Sequence, residues 1–140
     1  MPRYLIVAHK TLGGNALREE LTRRRDAGEI KVHLLVPVDH PMKGWTDGQL
    51  ETAAHAVLET GLAQMKEMGI EATGSVGDAN VIYAVEQVFR DDDAFDEIIV
   101  STLPHGVSKW LKVDAPSRLA KHYRIPVTHV VAEREGAEAP

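Results

Sequence analysis

Histidine and serine side chains in two predicted loops are the residues whose types could carry chemistry. His9 ends the first predicted strand, while Ser101, His105 and Ser108 follow the fourth. Two imidazoles in one crevice could transfer protons or bind a metal, and a serine beside a histidine could act as a nucleophile. Because no carboxylate or third histidine is spaced to complete such a site, we expect no catalytic and no metal-binding residues. The alternative is a small hydrolase or metal-dependent enzyme that uses His9 and His105; otherwise the His9 imidazole bonds to the backbone and His105 is exposed.

Composition excludes several function classes. The chain has 140 residues, with 16 Lys plus Arg against 21 Asp plus Glu, a net charge of −5 and no cysteine. Disulfides, thiolate nucleophiles and cysteine-ligated metal sites are therefore excluded, and a net negative charge gives no general attraction to nucleic acid or anionic lipid. The apolar run near the start is too short for a secretory signal or a membrane span, so we expect a cytoplasmic protein with no membrane contact.

Apolar runs and helical periodicity alternate along the chain. Short runs predict strands over residues 4–8, 32–38, 70–76, 97–101 and 126–131. Between them, cap signals at Asn15, Thr46, Gly77-Asp78 and Asp114 begin amphipathic helices. This alternation predicts one α/β domain over residues 1–131, with a doubly wound parallel sheet, helices on both faces, and a disordered tail over 132–140.

The loops after strands one and four are the expected ligand site. In doubly wound sheets, ligands bind outside the carboxyl ends of the strands, where the strand order reverses. The sequence contains no G-x-x-x-x-G-K-[ST], G-x-G-x-x-G, H-E-x-x-H or G-x-S-x-G motif, so the common nucleotide and hydrolase signatures are absent. The segment from Ser101 to Asp114 is the main candidate.

An ordered set of segments resembles the universal stress protein family across residues 3–131. The segments are Arg3-Tyr4-Leu5-Ile6-Val7-Ala8, Ser75-Val76-Gly77-Asp78-Ala79-Asn80-Val81-Ile82, Phe95-Asp96-Glu97-Ile98-Ile99-Val100, Gly106-Val107-Ser108-Lys109-Trp110-Leu111 and Ile125-Pro126-Val127-Thr128-His129-Val130. The resemblance implies an adenine nucleotide alpha hydrolase-like fold with strand order 3-2-1-4-5. It also implies a homodimer formed through the last strand, at Val127, His129 and Val131.

One branch of this family binds ATP through a Gly-x2-Gly-x9-Gly-[Ser/Thr] loop after strand four. Aligned on that loop with one residue deleted, this chain has Ser101, Pro104 and Val113 at the glycine positions and Asp114 at the hydroxyl position. Proline lacks an N–H donor, and valine resists the backbone angles that glycine adopts. This chain therefore lacks most of the features with which that loop binds phosphate, and only Gly106 and Ser108 retain the residue types of the loop.

Two charged residues depart further from the nucleotide-binding pattern. Asp114 precedes the last helix, so as an N-cap its carboxylate would occupy the backbone N–H groups and repel a phosphate. Lys10 stands where the family's ATP-binding members have an aspartate. We expect both residues on the rim of one crevice, where they pair directly or through water.

The resemblance favours a non-enzymatic stress-response protein that acts through dimerisation, protein contacts or a small ligand. ATP binding would be weakened or lost, and no cofactor is expected. The alternative is a sensor that still holds AMP or ATP. In it, backbone groups near Ala8 and Val36 would contact the nucleotide together with Gly106 and Ser108, and Lys10 would contact its phosphate.

Overall fold

Ten helices and strands alternate in the computed structural model, which describes residues 1–41, 43–104 and 108–132. In the described part, the strands are β1 (Arg3–Val7), β2 (Lys31–Pro37), β3 (Glu71–Gly77), β4 (Glu97–Thr102) and β5 (Val127–Val131). The helices are α1 (Asn15–Asp26), α2 (Asp47–Glu67), α3 (Val81–Asp91), α4 (Lys109–Lys112) and α5 (Ala115–Tyr123).

The strands form one sheet of five strands in the order β3-β2-β1-β4-β5. Every pair is parallel, and β1 lies in the centre, with Ile6 opposite Leu34 of β2 and Ile99 of β4. This confirms the predicted α/β fold and strand order. The order reverses between β1 and β4, so their carboxyl ends open the crevice that such sheets use for ligands.

Alternating side chains of the strands bury two apolar layers, one on each face of the sheet. Ile6 and Ala8 point into the layer with α1 and α2, while Leu5 and Val7 point into the layer with α3 and α5. Side chains of successive strand residues point to opposite faces, so a central strand covered on both faces reads as one apolar run. The described helices contain no segment long and apolar enough to cross a membrane.

Helix starts differ in how well the sequence predicts them. Thr46 and Gln49 form the predicted capping box of α2. Helix α1 begins after Gly14 without a side-chain cap, so the prediction that Asn15 caps it is wrong. In α3 the cap is Asn80, whose side chain accepts from Tyr83 N, and not Gly77-Asp78.

Two chain segments near the carboxyl end differ from the prediction. The single turn α4 was not predicted, because four residues carry no periodic signal. Ala132, assigned to the tail, is buried, and its N–H donates to the carbonyl of Thr102 at 2.9 Å. The other predicted tail residues, 133–140, lie outside the described part.

Candidate functional site

A crevice opens at the carboxyl edge of the sheet, over the ends of β1, β2 and β4. It encloses about 120 Å³, less than the ~300–1,000 Å³ of a typical small-molecule pocket. Its lining comes from four segments, namely His9, Lys10 and Thr11; Pro37, Val38, Asp39 and His40; Ser101, Thr102 and Leu103; and Ser108, Lys109 and Trp110. The structure thus brings together four residues of the predicted site, His9, Lys10, Ser101 and Ser108.

Two hydroxyls join the strand ends beneath the crevice. The Oγ1 of Thr11 and the Oγ of Ser101 lie 2.6 Å apart in a hydrogen bond, and both residues are buried. Thr11 belongs to a tight turn after β1, in which its carbonyl accepts from Gly14 N at 2.9 Å. Within the described residues, the Ser101 hydroxyl contacts Thr11 and no histidine that could activate it as a nucleophile.

The imidazole of His9 is the main electrostatic feature of the crevice wall. Its side chain is 11% exposed, and neither ring nitrogen has solvent-accessible surface or a hydrogen-bond partner. The nearest carboxylate oxygen, Oδ2 of Asp39, lies 3.7 Å from Nε2. Burial lowers the pKa of His9, with Lys10 acting in the same direction and Asp39 opposing. The expected side-chain bond from His9 to the backbone is therefore wrong.

Fixed charges at the crevice are two cations and one carboxylate. Lys10 follows β1 and Lys109 begins α4, and both are exposed. Asp39, in the loop after β2, supplies the carboxylate, and its neighbour His40 also lines the crevice. The excess of positive charge favours an anionic ligand over a cationic one.

The segment after β4 is anchored on both sides of the part that is not described. The carbonyl of Pro104 accepts from Ser108 N at 3.1 Å, and the hydroxyl of Ser108 caps α4 by accepting from Leu111 N. Pro104 itself does not line the crevice. His105 and Gly106, both predicted as ligand contacts, lie outside the described residues.

Val113 and Asp114 do not act as predicted. Asp114 takes the left-handed conformation, with φ 53° and ψ 45°, and its carboxylate makes no capping hydrogen bond to α5. Val113, at φ −102°, needs no glycine-like angles. Neither residue lines the crevice, and Asp114 is not within ion-pair distance of Lys10. The predicted plug and the direct Lys10–Asp114 pair are therefore wrong.

Ala8 and Val36 lie beneath the crevice and do not line it. Both are fully buried in the apolar layer between the sheet and helices α1 and α2. The N–H of Ala8 donates to the carbonyl of Leu35 at 3.2 Å, so this amide is already used by the sheet. The positions of Ala8 and Val36 therefore do not support the alternative in which backbone groups near them contact a nucleotide.

Several lining residues were missed by the sequence, chiefly those after β2. Residues 37–40 follow a strand that neighbours β1, so the topology places their loop at the same edge. A signal was present, since the order 3-2-1-4-5 makes β2 a neighbour of the switch point. Trp110 lines the crevice because the unpredicted turn α4 turns it toward the strand ends.

Metal and hydrolytic chemistry find no support among the described residues. No group of three or more histidine or carboxylate side chains there could hold a metal ion. The hydroxyls that line the crevice bond to one another, cap α4 or, for Thr102, meet His129 at 2.7 Å. The serines of the predicted site, Ser101 and Ser108, thus have no imidazole partner in the described part, and Thr102 is the lining hydroxyl that meets one.

Several solved structures that resemble this chain are universal stress proteins. A universal stress protein family protein from Arabidopsis thaliana with AMP bound superposes with a TM-score of 0.66, covering 97% of this chain and 95% of that one at 12% identity. UspA from Lactobacillus plantarum gives a TM-score of 0.58 at 14% identity, with 92% and 97% of the two chains covered. The chain has the universal stress protein fold.

A third structure, a universal stress protein in complex with cAMP, matches this universal stress protein fold with a TM-score of 0.56 at 11% identity, covering 92% of this chain and 96% of that one. No protein-family model and no curated protein matches the sequence. The likeness therefore lies in the fold, while the crevice residues have to be interpreted from their own geometry.

Proposed function

We propose that this chain is a non-enzymatic small-ligand-binding protein of the universal stress protein type, with ATP binding weakened or lost. The observation that carries the proposal is the crevice at the carboxyl ends of β1 and β4, with the unpaired imidazole of His9 in its wall. A buried polar group without a partner is unusual in a native protein and is found where a ligand or water completes it. The stress-response role comes from the named structural neighbours.

Binding without turnover fits the way that the crevice hydroxyls are used. Catalysis by a serine needs a base within hydrogen-bond reach, and Ser101 instead contacts Thr11. His9 has a carboxylate nearby but no hydroxyl bonded to either nitrogen. These side chains can recognise a ligand, and they are not arranged to attack one.

Weak ATP binding fits the shape and the backbone of the segment after β4. The enclosed 120 Å³ is small for a nucleoside triphosphate, given that drug-sized ligands occupy ~300 Å³ or more. Pro104 lacks an N–H, and the first glycine position is a buried serine held by Thr11. In the described part of this segment, a triphosphate thus finds few backbone donors to replace its hydration.

Binding of AMP is the second candidate. Two of the structural neighbours are named with AMP or cAMP bound, and these ligands carry one phosphate rather than three. Lys10 and Lys109 at the rim could neutralise a single phosphate. We expect AMP, if it binds, to bind more tightly than ATP.

Titration calorimetry with ATP, AMP and adenosine, each with and without magnesium, tests the proposal. Small molecules released by acid from the purified protein would identify a ligand that copurifies. We expect at least a tenfold preference for AMP over ATP and no hydrolysis of either. Micromolar ATP binding would overturn the proposed loss, and turnover that disappears in His105→Ala would favour the enzyme.

A homodimer through β5 is a further part of the proposal. Strand β5 pairs only with β4 in the described chain, and Val131 at its end is 40% exposed. Unpaired strand edges usually need cover. Side chains on β5 that a partner would meet include Val127, His129 and Val131. Light scattering should give the mass of two chains, and Val131→Lys should reduce it to one.

A further inference from the structure

The imidazole of His9 is buried in a state that costs stability. A neutral imidazole offers one N–H donor and one acceptor nitrogen, and both nitrogens of His9 are shielded from water without a partner. A buried donor or acceptor without a partner loses its hydrogen bonds to water and gains none in return. A ligand that supplies a partner would recover this free energy on binding.

Charged or titratable groups join His9 in lining the crevice from three of its segments, and Asp39 and Lys10 act on the imidazole electrostatically. Lys10 is its chain neighbour, Asp39 and His40 come from the loop after β2, and Lys109 comes from α4. The distance of 3.7 Å from Nε2 to Oδ2 of Asp39 exceeds a hydrogen bond by only about 0.5 Å. A small movement of the Asp39 side chain, which is 31% exposed, would close this gap.

We infer that the crevice binds a small anionic ligand together with one proton, which His9 takes up from solvent. This inference rests on the proposed function, since it uses the same crevice. Once protonated, His9 has two donors. One donor serves Asp39, which lies 3.7 Å from Nε2, and the other serves the anion, so the imidazolium lies between two negative groups. Because neither nitrogen is accessible in the free protein, a small movement of the ring or of the crevice wall accompanies binding. Lys10 and Lys109 neutralise the rest of the ligand's charge at the rim.

The proton is taken up because the free crevice disfavours imidazolium. Burial and Lys10 lower the pKa of His9, so the ring is neutral at pH 7 in the unliganded protein. An anion beside the ring raises that pKa. Binding therefore draws a proton from solvent, and affinity rises as the pH falls from about 7.5 until the free protein is itself protonated.

Calorimetry with sulfate, in buffers of different ionisation enthalpy, measures the proton directly. Sulfate does not itself titrate near neutral pH, whereas the phosphate of AMP does, with a pKa near 6. We expect uptake approaching one proton per sulfate at pH 7 and an affinity that rises at least threefold between pH 7.5 and 6.5. Succinate in place of sulfate tests whether the crevice prefers a carboxylate ligand or a tetrahedral anion such as sulfate or phosphate.

Histidine variants assign the proton to its residue. His9→Gln should weaken sulfate and AMP binding at least tenfold and abolish proton uptake. His40→Gln, in the same crevice, should retain the uptake, and His55→Gln is the matched surface control, since its side chain is 56% exposed on α2. Uptake that is lost in His40→Gln and kept in His9→Gln would overturn the assignment.

Histidine NMR in the unmodified protein keeps the test independent of any variant's folding. The ring resonances of His9 should shift to the imidazolium position on adding sulfate at pH 7. Equal binding of AMP and adenosine with no ring shift would overturn this inference and leave the proposed ligand site intact. Failure of AMP, adenosine, sulfate and succinate to bind would overturn both.

Discussion

The amino-terminal and carboxyl-terminal edges of the sheet both carry buried or partly buried polar groups, but among the described residues only the carboxyl-terminal edge leaves one of them, His9, without a hydrogen bond. Arg24 of α1 donates to both oxygens of Glu97 at 2.8 and 2.9 Å and to Glu20 at 2.7 Å, while its guanidinium lies over the Tyr4 ring. Thr128 of β5 also donates to Glu97. At the other edge, His9 has no hydrogen bond from either nitrogen.

The polar groups around Arg24 therefore stabilise the fold, whereas His9 is available to bind a ligand. The Arg24 cluster joins α1, β1, β4 and β5, and every charge in it has an opposite charge within hydrogen-bond distance. Such a cluster is costly to break and gives a ligand nothing to bind. The crevice has weaker internal pairing and open volume, which is the arrangement expected of a binding site.

The largest expected effect is the loss of Arg24. Arg24→Met keeps the aliphatic stem but leaves Glu97, whose side chain is 15% exposed, without its cation, while Glu20 keeps only the exposed Arg23. We expect a loss of about 2–3 kcal/mol in the free energy of unfolding, below the ~3–5 kcal/mol of a fully buried pair. Urea unfolding measures it.

Arg23→Met is the matched control for Arg24→Met. Its side chain is 70% exposed and contacts the same Glu20, so we expect a change below about 0.5 kcal/mol. If Arg23→Met lowers the free energy of unfolding as much as Arg24→Met does, the partly buried contacts of Arg24 contribute no more than an exposed ion pair. The contrast between the two edges then fails.

Replacing His9 by leucine should act in the opposite direction. Leucine is similar in size to histidine and carries no polar atom to leave unpaired, so we expect His9→Leu to raise the free energy of unfolding by about 1 kcal/mol. The same variant should lose ligand binding. A destabilised His9→Leu would mean that the imidazole has partners in solution, which would remove the basis of the contrast.

Acidification should affect the two edges in different pH windows. Burial lowers the pKa of His9, so the folded state binds fewer protons than the unfolded state, and the stability from this edge falls as the pH drops from about 7 through the folded pKa. Burial lowers the pKa of His33 as well, so His9→Leu should remove only part of this slope. Unfolding in urea at pH 5–8 tests it.

The amino-terminal edge should lose stability at lower pH. A hydrogen bond from Arg3 lowers the pKa of Asp92 to about 2, and hydrogen bonds and charge from Arg24 overcome burial to lower the pKa of Glu97. Depressed carboxyl pKa values stabilise the fold above about pH 4, and this is lost as the pH falls toward 2. Arg3→Met should mainly flatten the slope below pH 4. Burial is the main cause of the lowered pKa of His33 and the charge of Arg3 a lesser one, so the slope above pH 5 should decrease only slightly.

The smallest expected effect lies beyond the crevice, at the start of α5. Asp114→Gly relieves the left-handed conformation at φ 53° and should stabilise the fold by about 0.5 kcal/mol. Val113→Gly is the matched control and should destabilise slightly, since its backbone needs no glycine. Because neither residue lines the crevice, ligand affinity should not change in either variant.

Sequence patterns predicted the fold and part of the crevice, for physical reasons that differ. Apolar runs such as that ending at Ala8 encode buried parallel strands directly, and the parallel order then fixes which strand ends meet. That is why His9, Lys10 and Ser101 could be placed together. A backbone conformation depends on tertiary contacts, so the left-handed Asp114 and the short helix α4 had no local signal.

The unpaired state of His9 could not be predicted either. Whether an imidazole finds a partner depends on distances of a few tenths of an ångström between the ends of different strands, such as the 3.7 Å to Asp39. Spacing along the chain carries no such detail. The paired cluster around Arg24 likewise joins residues 73 positions apart, from Arg24 to Glu97.

Affinity for sulfate and AMP in three proteins, the unmodified chain, Arg24→Met and His9→Leu, tests the central contrast most directly. We predict that Arg24→Met, although less stable, binds as tightly as the unmodified chain. We predict that His9→Leu, although more stable, binds at least tenfold more weakly. Equal affinity in His9→Leu and the unmodified chain would contradict the account, because the unpaired imidazole would then contribute nothing to ligand binding.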